Sequence, residues 1–333
     1  MRGMLSLLVP VLLMASVGAR RTSSFNMLTN QIIAGYQGWF SFPGDGAPIN
    51  KWKHWFHDRV ANVTSPTADH LTIDFYPTTD EYDEDDLHDA NIALHDGSKA
   101  QFFSSTRPKV VLKHFEWMAT YGITGVFHMR FMESLHVDSN REWKTIVLRN
   151  VRDAAELTGR TFAVSYNIAG SDFGGSNVLE SLKVDWMRLV DEERITESSS
   201  YIHQNGYPVL RIYGIGFKYS NMIQNPYEMS RLIKWLQYEA DEKYRVFVLG
   251  GVPTSWRNRT DDSLEDEAWK GVHDSLNGIH PWHVGRWRTE LGFQEQYRTT
   301  LSEDATYCKE NGILYMPTMV SPTRCTDVYD FDQ

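Results

Sequence analysis

Residues 124–168, TGVFHMRFMESLHVDSNREWKTIVLRNVRDAAELTGRTFAVSYNI, indicate the fold class of this chain. Two apolar runs, 124–131 and 162–168, have the composition and length of buried strands. Between them, residues 141–157 predict a helix that ends at Gly159. Its apolar face consists of Trp143, Ile146, Val147, Val151 and Ala154. A strand, a helix and a second strand in this order predict parallel strands joined by a right-handed crossover.

The same alternation continues on both sides of this stretch. Five more strands are predicted, at 31–36, 208–213, 245–249, 276–282 and 313–317. Five more helices are predicted, at 108–121, 179–193, 226–243, 264–272 and 293–310. Residues 37–107 are polar and aromatic, without helical periodicity. Strands that alternate with helices predict an α/β protein with a parallel sheet.

Two parallel architectures fit this alternation, a (β/α)8 TIM-type barrel and a doubly wound open sheet. An open sheet usually carries a glycine-rich phosphate loop after its first strand. Here the bulky segment Tyr36-Gln37-Gly38-Trp39-Phe40 follows instead, which favours the barrel. A barrel needs eight strands. We therefore expect a barrel that lacks its last β/α unit, with an eighth strand inside 37–107 as the alternative.

The start of the sequence predicts secretion. Arg2 precedes an apolar run over 5–17, and small residues follow at 16–19. This order is typical of a signal peptide. An uncleaved anchor is the alternative, but about thirteen apolar residues fall short of the roughly 20 that span a bilayer. We expect a signal peptide at 1–19, one barrel domain at 20–320 and a divergent tail at 321–333.

Other features agree with an extracellular protein. The triplets that begin at Asn62 and Asn258 predict N-glycosylation. The two cysteines, Cys308 and Cys325, are candidates for one disulfide. A net charge of −10 argues against a nucleic-acid partner, and no segment after the first 19 residues predicts a membrane span.

The candidate site follows from the barrel, because active sites of this fold lie at the carboxyl ends of the strands. Residues there are aromatic or polar, as expected of a cleft that stacks on sugar rings and binds their hydroxyl groups. The alternative for each aromatic is packing in the core or a loop. The predicted substrate-binding set is Tyr36, Gln37, Trp39, His54, Trp55, Arg130, Tyr166, Asn167, Trp256, Arg257, Trp282 and Arg286.

Glycoside hydrolysis generally needs two carboxyl groups. Glu133 and Asp172 follow neighbouring predicted strands and form the candidate catalytic pair. We interpret Asp185 as a helix-terminal residue. The histidine pairs His54 with His57, and His280 with His283, lack a clear third ligand, so neither a metal nor another cofactor is expected.

Several ordered motifs resemble one family. They include Gly35-Tyr36-Gln37-Gly38-Trp39-Phe40, Gly250-Gly251-Val252-Pro253-x-x-Trp256-Arg257 and Pro281-Trp282-x-Val284-Gly285-Arg286. Over residues 31–318 the chain resembles secreted proteins grouped as glycoside hydrolase family 71/99-like, sometimes labelled xylosidase/arabinosidase. The resemblance implies a (β/α)8 barrel that acts on α-linked glycans.

The resemblance fails at the last strand. There the family is expected to carry an acidic Asp-Glu-x-x-Glu segment, analogous to Glu-Trp-His-Glu of family 99. Here Met316-Pro317-Thr318 is followed by Ser321-Pro322-Thr323-Arg324-Cys325 and a short acidic tail. Three explanations stay open: an incomplete gene sequence, a lectin-like relative, or catalysis by Glu133 and Asp172. We predict hydrolysis of O-glycosidic bonds, with a non-catalytic glycan-binding protein on the same barrel as the alternative.

Overall fold

The computed structural model describes residues 28–58, 66–169, 177–218, 223, 225–287 and 289–319. Its strands are β1 (Ile33–Tyr36), β2 (Leu87–Ala93), β3 (Lys99–Phe103), β4 (Gly125–Phe131), β5 (Thr161–Asn167), β6 (His203–Gln204), β7 (Tyr207–Tyr213), β8 (Phe247–Val252), β9 (Gly278–Pro281) and β10 (Leu314–Tyr315). Its α-helices are α1 (Pro108–Thr120), α2 (Asp138–Thr158), α3 (Val178–Asp191), α4 (Pro226–Lys234), α5 (Ala268–Asp274), α6 (Glu290–Gln296) and α7 (Ser302–Glu310).

Seven of these strands form one parallel sheet in the order β1-β4-β5-β7-β8-β9-β10, and the short β6 pairs antiparallel with β7. The seven are the strands that the sequence predicts, so the parallel α/β alternation is confirmed. Buried apolar residues fill the space between this sheet and its helices. In the part of the chain that the structure describes, no eighth strand joins β10 to β1.

The sheet is strongly curled. Phe127 on β4 and His280 on β9 have ring centroids 5.9 Å apart, although three strands lie between β4 and β9 in the sheet. Neighbouring strands of a sheet are about 4.8 Å apart, so a flat sheet would separate β4 from β9 by nearly 20 Å. Curling therefore brings distant strands face to face around a concave side. The curl agrees with the predicted barrel, whereas a closed eight-stranded barrel is not seen among the described residues.

Local sequence explains where the helices begin and end. Asn177 and Asn225 cap α3 and α4, because their side-chain oxygens accept hydrogen bonds from backbone N–H groups of the first turn. Proline stands at the first position of α1, where its missing N–H has no cost. Helix α2 ends at Gly159, whose φ of 65° lies in the left-handed region that glycine tolerates best. The predicted face of α2 packs inward, with Trp143 and Val147 buried.

Residues 37–107 contain structure that the sequence pattern did not predict. An antiparallel hairpin, β2 with β3, lies here outside the main sheet and contributes to a second aromatic core with Trp52, Trp55 and Phe102. It is not the eighth barrel strand, because it belongs to a separate two-stranded sheet. Its strands carry several charged and polar residues, which masked the usual strand signal.

Several predictions concern residues outside the described ranges. They are the signal peptide at 1–19, the glycosylation site Asn62, the catalytic candidate Asp172, Cys325 and the tail at 321–333. Cys308 is buried in α7. Because Cys325 lies outside the described ranges, the disulfide between the two stays a prediction. Asn258 lies on an exposed loop. Over the described ranges, no helix combines the length and apolar character that a membrane crossing requires.

Candidate functional site

Side chains along each parallel strand alternate between the helix layer and the concave side of the sheet. Tyr36 and Arg130 contact side chains of α1 and α3, which identifies their face as the helix-facing one. Residues of the opposite parity, such as Phe127 and Arg211, meet one another across the curl. This parity decides which of the predicted residues reach the concave side.

A row of register partners lines the concave side at the carboxyl ends of the strands. Phe131 pairs with Asn167, Asn167 with Tyr213, Tyr213 with Gly251, and Gly251 with His280. Partners in parallel strands point to the same face. We call this row, together with Arg211, Trp282, Trp39 and His54, the concave site.

One wall of the concave site is formed by Tyr213 and Trp282. Their rings meet edge to face with centroids 5.4 Å apart, and Trp282 is 37% exposed. The Trp282 carbonyl accepts the Thr254 hydroxyl at 2.6 Å, which fixes the backbone beneath the ring. Burial raises the pKa of Tyr213 to about 12, so its phenol stays neutral and able to donate a hydrogen bond. An exposed ring beside a polar group suits a sugar.

The opposite wall carries Trp39, which stacks on His54 with centroids 4.1 Å apart and on Phe131 at 5.4 Å. Burial, followed by the charges of Lys53 and Lys144, lowers the pKa of His54 to about 4. The imidazole is therefore neutral at pH 7. Phe131 of this wall is on β4, and Tyr213 of the first wall is on β7. At ordinary strand spacing these two strands lie about 10 Å apart.

Lys144 lies behind this second wall. Its ammonium group is 5.3 Å from the ring centroids of Phe131 and Trp143. Burial and the nearby charge of Arg130 lower the pKa of Lys144 to about 7. A lysine in this position is able to lose its charge near neutral pH.

Arg211 occupies the row below the carboxyl edge, two residues before Tyr213. It is 3% exposed. Its Nη1 donates to Ser165 Oγ at 2.9 Å, and its guanidinium lies 5.4 Å from the ring centroid of Tyr213. The residue was missed from the sequence, although period-two alternation backwards from Tyr213 points to it.

Three members of the predicted set lie instead on the helix-facing side. Arg130 makes two hydrogen bonds to Asp185 on α3, at 2.9 and 2.8 Å, and Tyr166 donates to the same carboxylate at 2.6 Å. Tyr36 donates to or accepts from His114 Nδ1 on α1 at 2.8 Å. All three therefore hold helices to the sheet and are left out of the concave site.

Asp185 also differs from its interpretation as a helix-terminal residue. It lies inside α3, 5% exposed on its side chain. Burial on its own would raise the pKa of Asp185, yet the charge of Arg130 and the hydrogen bonds hold the pKa below its ordinary value. The carboxylate is thus a charged partner in the core.

Two predicted tryptophans are buried in other packing units. Trp55 stacks on Phe40 at 3.9 Å within the hairpin core, and Trp256 is 2% exposed and donates to Asp304 on α7 at 3.0 Å. Arg257 donates to the same Asp304 at 2.8 Å. For Trp55 and Trp256 the core-packing alternative describes their position.

The remaining members of the set lie at or beside the concave site. Gln37 is exposed after β1, and Asn167 belongs to the carboxyl-edge row. Arg286 donates to Thr254 Oγ1 at 3.1 Å and pairs with the buried Asp262, close to the backbone of Trp282. Trp39, His54 and Trp282 form the walls described above.

Carboxylates are scarce at this site. Among the described residues, the inward-facing rows from β4 to β9 contain no aspartate or glutamate. Glu133 is exposed on the turn after β4, and its negative charge acts to raise the pKa of Lys144. Within the described ranges, no group of three or more His, Cys, Asp or Glu residues is arranged to hold a metal ion.

Comparison with known proteins finds similarity in fold. No protein-family model matches this chain, and no curated protein sequence matches it. Two structures of a GH99 endo-alpha-mannosidase from Bacteroides thetaiotaomicron, one in complex with BIS-TRIS-Propane, match it with a TM-score of 0.53 and 16% identity. Each match covers 86% of this chain and 68% or 70% of the mannosidase chain. The fold of this chain is therefore similar to that of the mannosidase.

Proposed function

We propose that this chain is a glycoside hydrolase-like protein of the 71/99-like group that binds an α-linked glycan in the concave site. The observation that carries the proposal is the pair of aromatic walls, Tyr213 with Trp282 and Trp39 with His54, at the carboxyl edge of a curled parallel sheet. Ligand sites of such sheets lie at this edge.

The chemistry of the walls fits a sugar better than a charged or purely apolar ligand. Aromatic faces stack on the C–H faces of sugar rings, while Asn167 and the neutral His54 offer polar groups to hydroxyls. The mannosidase named above is an enzyme on α-linked mannose, which makes α-linked glycans the first to test.

Hydrolysis of an O-glycosidic bond is the activity that we propose for the site. It needs one carboxyl group as acid and generally a second as base or nucleophile. Glu133, on the turn that follows β4, is the described carboxylate that the sequence predicts for this role. Asp172 is proposed as its partner from the sequence alone. Secretion and glycosylation of Asn258 belong to the same proposal.

The scarcity of carboxylates in the described inward-facing rows favours a second candidate, a glycan-binding protein without turnover. Aryl α-mannoside, α-glucoside and pentoside substrates distinguish the two. Release of the aryl group that is lost in Glu133→Gln supports hydrolysis by this acid. Glycan binding without release, at any pH between 4 and 8, supports the second candidate.

Binding itself is tested by calorimetry with α-linked oligosaccharides. Loss of one stacking ring in Trp282→Ala or Trp39→Ala should weaken binding roughly fivefold to tenfold. Tyr121→Ala is the matched control, because Tyr121 is 79% exposed at the end of α1, away from the concave site. Equal affinities in all three variants would remove the concave site from consideration.

A further inference from the structure

Among the residues that the structure describes, no carboxylate balances the charge of Arg211. Two other arginines do have a carboxylate partner: the buried Arg130 pairs with Asp185, and Arg257 pairs with Asp304. No carboxylate lies within 4.0 Å of Arg211 in the described part of the chain, and its Nε has no hydrogen-bond acceptor there. A buried arginine without a countercharge is costly, since an isolated charge loses its hydration.

Arg211 cannot relieve this cost as a lysine can. Burial lowers the pKa of Arg211 only to about 10, so the guanidinium remains charged at pH 7. Lys144, the buried lysine of α2 behind the Trp39 wall, has a pKa of about 7 and is able to release its proton. A permanent charge is therefore retained at Arg211 in spite of its burial.

The guanidinium is also held in a fixed position. Ser165 accepts from Nη1 at 2.9 Å, and the rings of Phe127 and Tyr213 lie 5.8 and 5.4 Å from the guanidinium carbon. Gly251 leaves room for it, because a Cβ atom there would be 3.2 Å from Nη2. Gly251 belongs to the carboxyl-edge row, so the side chain of Arg211 rises to the level of the site.

His280, close to Arg211, has a ring nitrogen without a described hydrogen-bond partner. His280 is 8% exposed and, among the described residues, its Nδ1 has no hydrogen-bond partner. Burial and the charge of Arg211 keep the imidazole neutral by lowering its pKa well below the ordinary value. A neutral imidazole is able to donate one hydrogen bond to an oxyanion without adding charge.

We infer that Arg211, with His280 beside it, recognises an oxyanion carried by the glycan, either the carboxylate of a uronic acid or a sulfate ester. This inference rests on the proposed glycan function and narrows its substrate class to acidic glycans. Guanidinium groups bind such planar or tetrahedral oxyanions through paired N–H donors. The anion supplies the countercharge that the described residues do not.

The test compares three α-linked probes: dextran as the neutral glucan, dextran sulfate as its sulfate ester, and oligogalacturonate as the uronate. Affinities are measured by calorimetry in moderate salt with the full chain. We expect the preferred acidic probe to bind roughly tenfold to a hundredfold more tightly than dextran. The protein carries a net charge of −10, so general attraction of polyanions does not produce such a preference.

Variants assign the preference to Arg211. Arg211→Gln keeps a donor to Ser165 and should abolish the preference for the acidic probe, whereas Arg211→Lys should retain only part of it. Arg194→Gln is the control with the same change in charge, because Arg194 is 70% exposed and pairs with Glu197 at the opposite end of the sheet. The ratio of the acidic to the neutral affinity is the readout, since a purely structural role for Arg211 leaves it unchanged.

The outcomes separate the inference from the proposed function. Equal binding of dextran and both acidic probes overturns the oxyanion role and leaves glycan binding standing. An acidic preference that survives in folded Arg211→Gln also overturns it. Failure of all three probes to bind, together with a fourth, α-linked mannan, counts against the proposed function itself. A preference for the sulfate or for the uronate identifies the source of the oxyanion.

Discussion

Replacing Asp185 with asparagine removes one negative charge from the core and keeps the shape of the side chain. In the native protein this carboxylate accepts two hydrogen bonds from Arg130 and one from Tyr166, and Arg130 is 0% exposed. The asparagine can still accept from one or two of these donors. It cannot balance the charge of Arg130, which then stays buried and uncompensated.

The expected cost follows from this imbalance. Breaking a buried ion pair from one side costs about 3–5 kcal/mol, and we expect the lower end because asparagine keeps an acceptor. A loss of about 3 kcal/mol is a large fraction of the 5–15 kcal/mol that typically stabilises a folded protein. It corresponds to a decrease of roughly 4–5 °C in Tm for a chain of 333 residues.

The assay is equilibrium unfolding in urea at pH 7, followed by tryptophan fluorescence. Glu180→Gln is the matched control, because Glu180 is on the same helix but 63% exposed and paired with Lys183. That exposed pair contributes about 1 kcal/mol or less. A cost for Asp185→Asn no larger than that of Glu180→Gln would refute the buried network.

The pH dependence gives a second check. The pKa of Asp185 is below its ordinary value when folded, so its contribution is present above the unfolded value of about 3.9 and is lost as the pH falls through the folded value. The wild-type and Asp185→Asn proteins should therefore converge in stability as acid is added. A difference that stays constant down to the lowest measurable pH would contradict this assignment.

Acid should also lower the free energy of unfolding between about pH 6.5 and 4. Each histidine whose folded pKa is depressed contributes up to about 1.4 kcal/mol per pH unit, because in this pH range only the unfolded chain binds its proton. These residues are His54, His88, His114, His128, His273, His280 and His283. Urea unfolding at several pH values measures the slope, which His114→Gln should flatten. Gly251→Ala should cost about 1–3 kcal/mol in thermal unfolding, since its Cβ would be 2.9 Å from the Tyr213 Cα, whereas Gly35→Ala, with open space around it, should cost little. Trp256→Phe removes the hydrogen bond to Asp304 and should cost about 2 kcal/mol in urea unfolding, with glycan affinity unchanged. A change in glycan affinity would instead place Trp256 in the concave site.

The strands were predictable because each one is a local pattern. Apolar runs such as 162–168, set between helices with proline, asparagine or glycine at their ends, specify their own structure within a few residues. The hairpin of β2 and β3 was not predictable in this way. Its strands depend on contacts with Trp52 and Trp55, far from them in the sequence.

The candidate site was predicted only in part, because proximity to a strand end does not tell which way a side chain points. Tyr166 and Asn167 are adjacent in sequence, yet Tyr166 reaches Asp185 in the helix layer while Asn167 joins the carboxyl-edge row. Arg211 was missed for the converse reason. It lies inside a strand, and its length carries the guanidinium up to the edge.

The alternation of seven parallel strands with helices follows from local sequence, since hydrophobic periodicity and end signals act over a few residues. Which residues contact one another depends instead on how the elements pack. The curl of the sheet brings Phe127 against His280. Side-chain parity turns Arg130 towards Asp185 but leaves Arg211 without a described carboxylate partner. Both arrangements arise from packing between elements far apart in the chain. Such contacts depend on distances in space, which no local pattern records.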